Sequence, residues 1–500
     1  MKKKLIVMTL SAVILGNMAA CQAKNKKEET KTSQTEQVAT DNKETGQQMP
    51  TLSKKEIVAL MPEVAKKAKK IMVDNGEKIH PSFNMKDKQI LIVSNIAKTA
   101  YLVNSQDEKF GKKDEAVEYS TDTIIDKQIM TGAFGETEFN GKKTYFYNID
   151  NQMGLIQSQE KEEQSNEIVR TVLHEGIHMY LQPVIEKGEK VASLESAGTE
   201  AKRALSYPIP IEDRINRAQQ AYFYREALKA KSEEEKISLI KKGNFYYKKF
   251  TDSNPDNAKK EVFDRIEGQP TYSEARGLAT VTGKNTDDKT LNDETIKNIL
   301  KDYRVSDEML QMGMEDMEYY SVGSLAYGNI QVLNQMKEVQ ETNQNPVQHL
   351  YEKYGVEENK GNEELTKGIK TQFEEQNEQL KQQIDGVDKK VKDAEYTKIK
   401  VNLPEKIDGF ELHTNSVNYK FQEKEGTIET ISQELKLGEN RLKLTQSELI
   451  KTTENGKEVY YLMVPKKDVE IKGDKVSIQS KDIQVFDQNF KKNGEMLELN

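Results

Sequence analysis

The sequence predicts an α+β protein in which a β-rich segment is followed by a long helical segment and then by a second β-rich segment. Three observations support this order. Short apolar runs occupy residues 89–149, apolar residues at helical spacing dominate residues 168–340, and apolar–polar alternation returns after residue 396. A chain of 500 residues is long enough for two to four domains of ordinary size.

The composition argues against several classes of function. The formal net charge is −8, so no basic excess is available to neutralise phosphates, and we expect no nucleic-acid partner. A single Cys permits neither an intramolecular disulfide nor a Cys-rich zinc module. Any histidine-based metal site must draw on the five histidines of the chain, which are His80, His174, His178, His349 and His413.

The first residues have the pattern of a targeting segment. Lys2–Lys4 are basic, and the apolar run Leu5–Leu15 is too short to span a bilayer. Met18-Ala19-Ala20-Cys21 follows and resembles a bacterial lipobox, in which the Cys is lipidated and becomes the mature N-terminus. The alternative is an ordinary secretory signal with a chance Cys. We expect residues 1–21 to be a lipoprotein signal peptide, with the protein held by its lipid on the extracytoplasmic side of the bacterial cell membrane.

The elements after the signal are predicted in order along the chain. Residues 22–52 are too polar to fold and predict a disordered tether. Apolar residues at helical spacing between Ile57 and Ile71 predict a helix. Strands are expected from Gln89 onwards, and Asn140-Gly141 predicts a hairpin turn. The helices predicted next are Ile211–Ala230, Lys236–Phe250, Glu261–Thr282 and Ser306–Met336.

Two further segments complete the predicted organisation, after a main domain at residues 53–350. Residues 358–395 predict a polar helix with a narrow apolar stripe, which favours packing along the protein over a coiled-coil dimer. Residues 396–500 alternate and predict a small antiparallel β-domain. Its predicted hairpin turns and strands are Asn455-Gly456, Lys472-Gly473-Asp474, Val459–Val464 and Val476–Val485.

One motif carries chemistry. His174-Glu175-Gly176-Ile177-His178 is a His-Glu-x-x-His sequence in a segment with helical periodicity. A spacing of four residues places both imidazoles on one helix face, as two ligands of a Zn²⁺ ion require. Glu175 lies beside that face, where it can reach a zinc-bound water as general base. The alternative is a helix whose two histidines only make structural hydrogen bonds, but this motif is rare in a chain with five histidines.

A catalytic zinc ion needs a third protein ligand. No other histidine lies close downstream, so a carboxylate is expected. Glu267 follows on a predicted helix, beside Gly268, which would permit close approach to the helix of the motif. Glu195 and Glu200 compete, because they lie much nearer to His178 in sequence.

These residues resemble the gluzincins, zinc peptidases in which the HExxH helix is followed by a helix with a Glu-Gly-x-Ala-x-Tyr-like sequence. The resemblance covers roughly residues 89–336 and implies that Glu267 is the third ligand. Many gluzincins also have a Tyr-x-x-Gly helix, which matches Tyr320-Ser-Val-Gly323 and implies that Tyr320 stabilises the oxyanion. Tyr319 and Tyr272 are alternatives for that role. The implied fold has a β-lobe above a helical lobe, with zinc in the cleft between them.

The chain departs from the gluzincin pattern in three places. Pro270 stands where the pattern has Ala, and Glu267 lies unusually far from the motif, so an inserted helical hairpin is expected. Gly132–Glu136 matches the Gly-x-Met-Glu-Asn element of the aminopeptidases only in part. The sequence therefore predicts a surface-anchored zinc peptidase acting on peptides or proteins. A non-catalytic zinc- or peptide-binding lipoprotein and a structural surface protein are the alternatives.

Overall fold

The computed structural model describes residues 52–124, 129, 132–152, 160–185, 205–282, 287–312, 315–402, 412–421, 424–438 and 440–499. The predicted signal peptide, Cys21 and almost the whole tether lie outside these ranges. The described chain divides into two compact units, the first formed by residues 52–185 and 212–366 and the second by residues 205–211 and 367–499. None of the helices in the described ranges is long and apolar enough to cross a membrane.

The first unit contains a five-stranded sheet preceded by helices. The elements are α1 (Lys54–Ala68), α2 (Gly76–Ile79), β1 (Gln89–Ser94), β2 (Thr99–Val103), β3 (Val117–Ser120), β4 (Phe134–Phe139) and β5 (Lys142–Asn148). The strand order is β3-β2-β1-β5-β4, in which only β1 and β5 are parallel. Asn140 and Gly141 have φ angles of 53° and 71° and form the predicted turn between β4 and β5. The predicted β-rich segment is confirmed.

Helices form the rest of the first unit. They are α3 (Lys161–Tyr180), α4 (Gln182–Ile185), α5 (Ile211–Lys229), α6 (Glu233–Ser253), α7 (Pro255–Lys260), α8 (Val262–Ile266), α9 (Gly268–Thr282), α10 (Asp288–Lys301), α11 (Asp307–Met312), α12 (Glu315–Val332), α13 (Met336–Thr342) and α14 (Pro346–Tyr354). Two predicted helices are too long. The predicted helix Glu261–Thr282 is two helices, α8 and α9, because it is interrupted at Glu267. The helix predicted to run to Met336 ends at Val332, because Asn334 adopts a left-handed conformation (φ 57°).

The core of the first unit joins α1 and α3 to one face of the sheet. Ile57, Leu60, Ile90, Tyr145 and Leu173 all belong to this buried cluster. The hydroxyl of Tyr145 on β5 also donates a hydrogen bond of 2.9 Å to the carbonyl of Val172 on α3. Helix α3 is therefore held against the sheet immediately before the His-Glu-x-x-His motif begins.

The second unit is a ten-stranded sheet with one long helix. Its elements are β6 (Leu205–Ser206), α15 (Glu363–Lys392, which starts in the first unit), β7 (Tyr396–Asn402), β8 (Leu412–Phe421), β9 (Lys424–Leu437), β10 (Asn440–Glu454), β11 (Lys457–Pro465), β12 (Val469–Lys472), β13 (Lys475–Gln479), β14 (Ile483–Asn493) and β15 (Met496–Leu499). The strand order is β12-β13-β14-β15-β7-β11-β10-β9-β8-β6, with an additional β14–β10 pairing. The predicted polar helix packs through Ile384 and Val387 onto the sheet residues Ile428 and Ile450.

Three predictions for the second unit need correction. The domain is not small and purely antiparallel, because β6 pairs with β8 and β15 pairs with β7 in parallel. β6 lies inside the predicted peptidase domain at residues 53–350, and a strand of two residues leaves no periodic signal. The predicted strand Val476–Val485 is two strands, because Ser480 Oγ accepts the amide of Ile483 and closes a turn that lacks Gly and Pro. Both predicted hairpin turns are confirmed.

Candidate metal centre

The His-Glu-x-x-His motif lies in the last two turns of α3. His174 and His178 project from the same helix face, and their Nε2 atoms are 3.0 Å apart. His174 is almost wholly buried, whereas His178 is slightly more accessible. The two imidazoles are thus brought together by the helix spacing that the sequence predicted.

Glu267 joins the two histidines from the break between α8 and α9. Its Oε2 atom lies 3.4 Å from Nε2 of His174 and 3.5 Å from Nε2 of His178, and its side chain is buried. The ligand atoms of the three residues all lie within 4.8 Å of one another, so the cluster could hold a metal ion. The competing residues Glu195 and Glu200 lie outside the described residues.

Two glycines set the position of this break. A Cβ on Gly268 would lie 2.4 Å from Cα of Gly323, and a Cβ on Gly323 would lie 2.0 Å from the carbonyl oxygen of Asp264. No side chain fits at either position, so the backbones of α8, α9 and α12 touch here. Gly268 was expected to permit close approach to the helix of the motif, but the backbone nearest to its Cβ position is that of Gly323 on α12.

A chain of buried charges supports His174 from behind. Its Nδ1 atom is 2.7 Å from Oε1 of Glu274, which lies in α9 about two helical turns after Glu267. Arg304 binds Glu274 with both terminal nitrogens, at 3.2 and 2.5 Å, and also pairs with Asp302. Arg170 on α3 completes the chain with an Nη1–Oδ2 distance of 3.3 Å to Asp302. Because ionised Glu274 can only accept, Nδ1 of His174 must donate, and its Nε2 atom faces the cluster.

The pKa values follow from this arrangement. Burial alone would lower the pKa of His174, but Glu267 and Glu274 more than offset it and raise the pKa to about 10. Burial alone would raise the pKa of Glu274, but Arg304 and His174 hold it below its ordinary value. Burial also opposes the ionisation of Asp302, yet Arg304 lowers its pKa to about 2. The buried carboxylates thus stay charged and favour a positive charge, a proton or a metal ion, at the imidazole pair.

A neutral amide supports His178. Its Nδ1 atom is 2.8 Å from Oε1 of Gln182, and Nε2 of Gln182 donates a hydrogen bond of 2.6 Å to the backbone carbonyl of Ile266. Gln182 is buried. It stands one helical turn after His178, just as His178 stands one turn after His174, and it connects α4 to the end of α8.

Glu175 lies between the two histidines in sequence, and its charge acts on both His174 and Tyr145. Its side chain is buried. Burial holds the pKa of Tyr145 on β5 well above its usual value, and the charge of Glu175 adds to this effect. The charge of Glu175 also helps to raise the pKa of His174. The carboxylate therefore lies beside the imidazole pair without belonging to the three-ligand cluster.

The three candidate tyrosines occupy different environments. The ring of Tyr320 stacks on the ring of His174, with centroids 5.6 Å apart and an interplanar angle of 18°. Tyr319 is buried against Phe263, with ring centroids 5.1 Å apart. The buried Tyr272 donates its hydroxyl to Oε1 of Gln331 at 2.8 Å. Of these three, Tyr320 is the one that contacts the histidine pair.

Sequence reasoning missed the residues behind the histidines. Glu274, Arg304, Asp302 and Gln182 were not named, although two of them left a signal. Glu274 follows Glu267 by seven residues, which is two helical turns, and Gln182 extends the four-residue spacing of the histidines by one step. Arg304 and Asp302 left no such signal, because they reach the site from a distant loop.

The chain matches no protein family, and neither a curated protein nor a solved structure matches it significantly. An assignment of function therefore has to rest on the chemistry of the site itself.

Proposed function

We propose that this protein is a zinc-dependent peptidase of the gluzincin type, held by a lipid on the extracytoplasmic face of a bacterial membrane. The observation that carries the proposal is the convergence of three donor atoms. Both imidazoles have Nδ1 beside a fixed hydrogen-bond acceptor, so both direct Nε2 towards the carboxylate of Glu267. Two Nε2 atoms 3.0 Å apart need a proton or a metal ion between them.

The spacing of the donors fits zinc. A tetrahedral zinc ion with bonds of about 2.0–2.1 Å separates its ligand atoms by roughly 3.3–3.4 Å. The three distances here are 3.0, 3.4 and 3.5 Å. Two imidazoles and one carboxylate are also a typical donor set of catalytic zinc, because they leave a fourth position for water or substrate. His174, His178 and Glu267 would therefore hold the ion.

The proposed chemistry divides between the ion and the surrounding residues. When bound, zinc polarises the scissile carbonyl and lowers the pKa of a water molecule towards neutrality. Glu175 accepts a proton from the attacking water and passes it to the leaving amine. Tyr320, stacked on His174, donates its phenol O–H to the oxyanion at the attacked carbonyl. Arg304 and Glu274 keep His174 in the tautomer that binds the metal.

The sheet of the first unit offers a place for a peptide. Among the described strands, β4 pairs only with β5, so its other edge is open to a further strand. β4 itself lies near the motif helix, because Glu136 on β4 adds to burial in raising the pKa of Tyr180 in the last turn of α3. A peptide added along β4 would run near the last turn of the motif helix, which supports peptides or proteins as substrates.

The first experiment measures the metal. The full chain is purified in detergent and dialysed against metal-free buffer. It should then retain about one zinc ion per chain by elemental analysis. Glu267→Ala should lower zinc affinity strongly, because it removes one of three ligands. A variant that binds zinc as tightly as the wild type would transfer the third-ligand role to a residue such as Glu195 or Glu200.

The second experiment separates a peptidase from a zinc-binding protein without turnover. Glu175→Gln should retain zinc and lose about a hundred- to ten-thousandfold in kcat on a peptide library, because an amide cannot accept the proton. Glu163→Gln, at an exposed position in the first turn of α3, is the matched control and should leave kcat unchanged. A wild-type chain that binds zinc but cleaves no peptide would support the non-catalytic alternative.

The lipid anchor is tested separately. Cys21→Ala should remove lipid attachment, and the chain should then leave the membrane fraction under conditions in which the wild type stays bound. Cys21 is the single cysteine of the sequence, so no other thiol can take the lipid. Unchanged, detergent-dependent membrane attachment of the Cys21→Ala chain would contradict lipid anchoring.

A further inference from the structure

We infer that Pro270 and Gln182 together position His178 for metal binding, through the backbone carbonyl of Ile266. Pro270 withholds an amide, the carbonyl of Ile266 therefore remains available, and that carbonyl orients the amide of Gln182. Gln182 in turn sets the tautomer of His178. The inference rests on the proposed zinc site, but not on peptide hydrolysis.

The first step concerns the carbonyl of Ile266. In a continuous helix it would accept the backbone N–H of residue 270, four positions later. Pro270 has no N–H, so this bond cannot form. The proline is accommodated because it lies in the first turn of α9, where amide hydrogens have no partner within their own helix. The carbonyl instead accepts Nε2 of Gln182 at 2.6 Å.

The second step fixes which way the amide of Gln182 faces. A backbone carbonyl can only accept hydrogen bonds, so the NH₂ group of Gln182 must face Ile266. The oxygen of the amide must then face His178, whose Nδ1 lies 2.8 Å away. An amide oxygen is also only an acceptor, so Nδ1 of His178 must carry the proton. The Nε2 atom of His178 is therefore left with its lone pair.

The third step connects this relay to the ligand cluster. Nε2 of His178 faces Oε2 of Glu267 at 3.5 Å, and Glu267 is the residue directly after Ile266. The same helix break thus supplies the third ligand through a side chain and orients the second ligand through a backbone carbonyl. Proline at position 270, where the gluzincin pattern has alanine, is what keeps this carbonyl available.

The test is a double-mutant cycle on zinc affinity, measured with the full chain by competition with a chromophoric chelator. Gln182→Leu should weaken zinc binding about tenfold, as removal of a partner behind a metal-binding histidine does. Pro270→Ala should weaken it about threefold, because the new N–H competes for the carbonyl by a fraction of a hydrogen-bond free energy. The double variant should match Gln182→Leu within about twofold, since both changes act through one carbonyl.

Two controls separate positioning from general destabilisation. Gln331→Leu removes another amide that accepts a hydrogen bond, from Tyr272, and Pro255→Ala removes a proline from the first turn of α7. Both should leave zinc affinity unchanged. Strictly additive losses in the double variant, or unchanged affinity in Gln182→Leu, would overturn the relay. A wild-type chain without zinc would instead overturn the proposed function itself.

Discussion

The two histidines of the candidate site both turn Nε2 towards Glu267, but the groups that contact their Nδ1 atoms differ. His174 is backed by Glu274, Arg304 and Asp302, a chain of buried ionised groups. His178 is backed by the neutral amide of Gln182 and a backbone carbonyl. Both arrangements make Nδ1 a donor and turn Nε2 towards Glu267. The difference shows that Nδ1 of a histidine can be made a hydrogen-bond donor by a charged or by a neutral partner.

The two arrangements carry different risks for stability. A buried ion-pair chain is stable only while every charge keeps its partner, because one unpaired buried charge is costly. A neutral amide leaves at most an unsatisfied donor or acceptor when it is lost, which costs less. We therefore expect substitutions behind His174 to affect folding and metal binding together, and substitutions behind His178 to affect mainly metal binding.

The largest effect is expected for Arg304→Met. This change leaves Glu274 and Asp302 buried without their shared cation and should lower the free energy of unfolding by about 3–5 kcal/mol. Urea unfolding of the zinc-free chain, followed by far-UV circular dichroism, measures it. Lys229→Met breaks the more exposed pair with Glu226 and should cost at most about 1 kcal/mol. Equal effects of the two substitutions would show that the buried chain of charges behind His174 is no more sensitive than an exposed ion pair.

The second prediction compares the two partners directly through zinc affinity. Glu274→Gln keeps the size of the side chain but removes the charge facing His174 and Arg304, and it should weaken zinc binding about a hundredfold. This loss should exceed the roughly tenfold loss expected for Gln182→Leu. Glu294→Gln, which removes the carboxylate that pairs with Lys297 on α10, is the control. The comparison fails if the neutral partner proves to matter more than the charged one.

The smallest effect is a change in acid stability. The pKa of Asp302 is lowered to about 2, chiefly by Arg304 against the effect of burial, whereas an unfolded Asp titrates near about 3.9. Its stabilising contribution is therefore complete above about pH 4 and is lost as the pH falls towards about 2. Asp302→Asn should flatten the pH dependence of unfolding in that window, as followed by circular dichroism in an acid titration. An unchanged acid limb in the variant would show that Asp302 is not held ionised.

Part of the site was accessible from the sequence because it depends on local geometry. Four-residue spacing on one helix brings His174 and His178 together wherever that helix lies. The Asn140-Gly141 turn and the polar helix of the second unit were also predictable, since turn chemistry and amphipathic spacing are local. The proposal that Glu267 is the third ligand was drawn from a family pattern, and the structure places it beside both histidines.

The rest was decided by contacts between segments that are distant in sequence. The sequence shows glycine at positions 268 and 323. Only the packing of α9 on α12 shows that Gly268 and Gly323 touch each other. Arg304 reaches Glu274 from a loop 30 residues away, and Ile266 meets Gln182 across 84 residues. By itself the sequence determined the motif, its helix and the order of β-rich and helical segments, because these follow from local spacing. Tertiary structure alone decided which groups support each histidine, because the free energy of a buried ion pair or amide depends on partners that the chain brings together only when it folds.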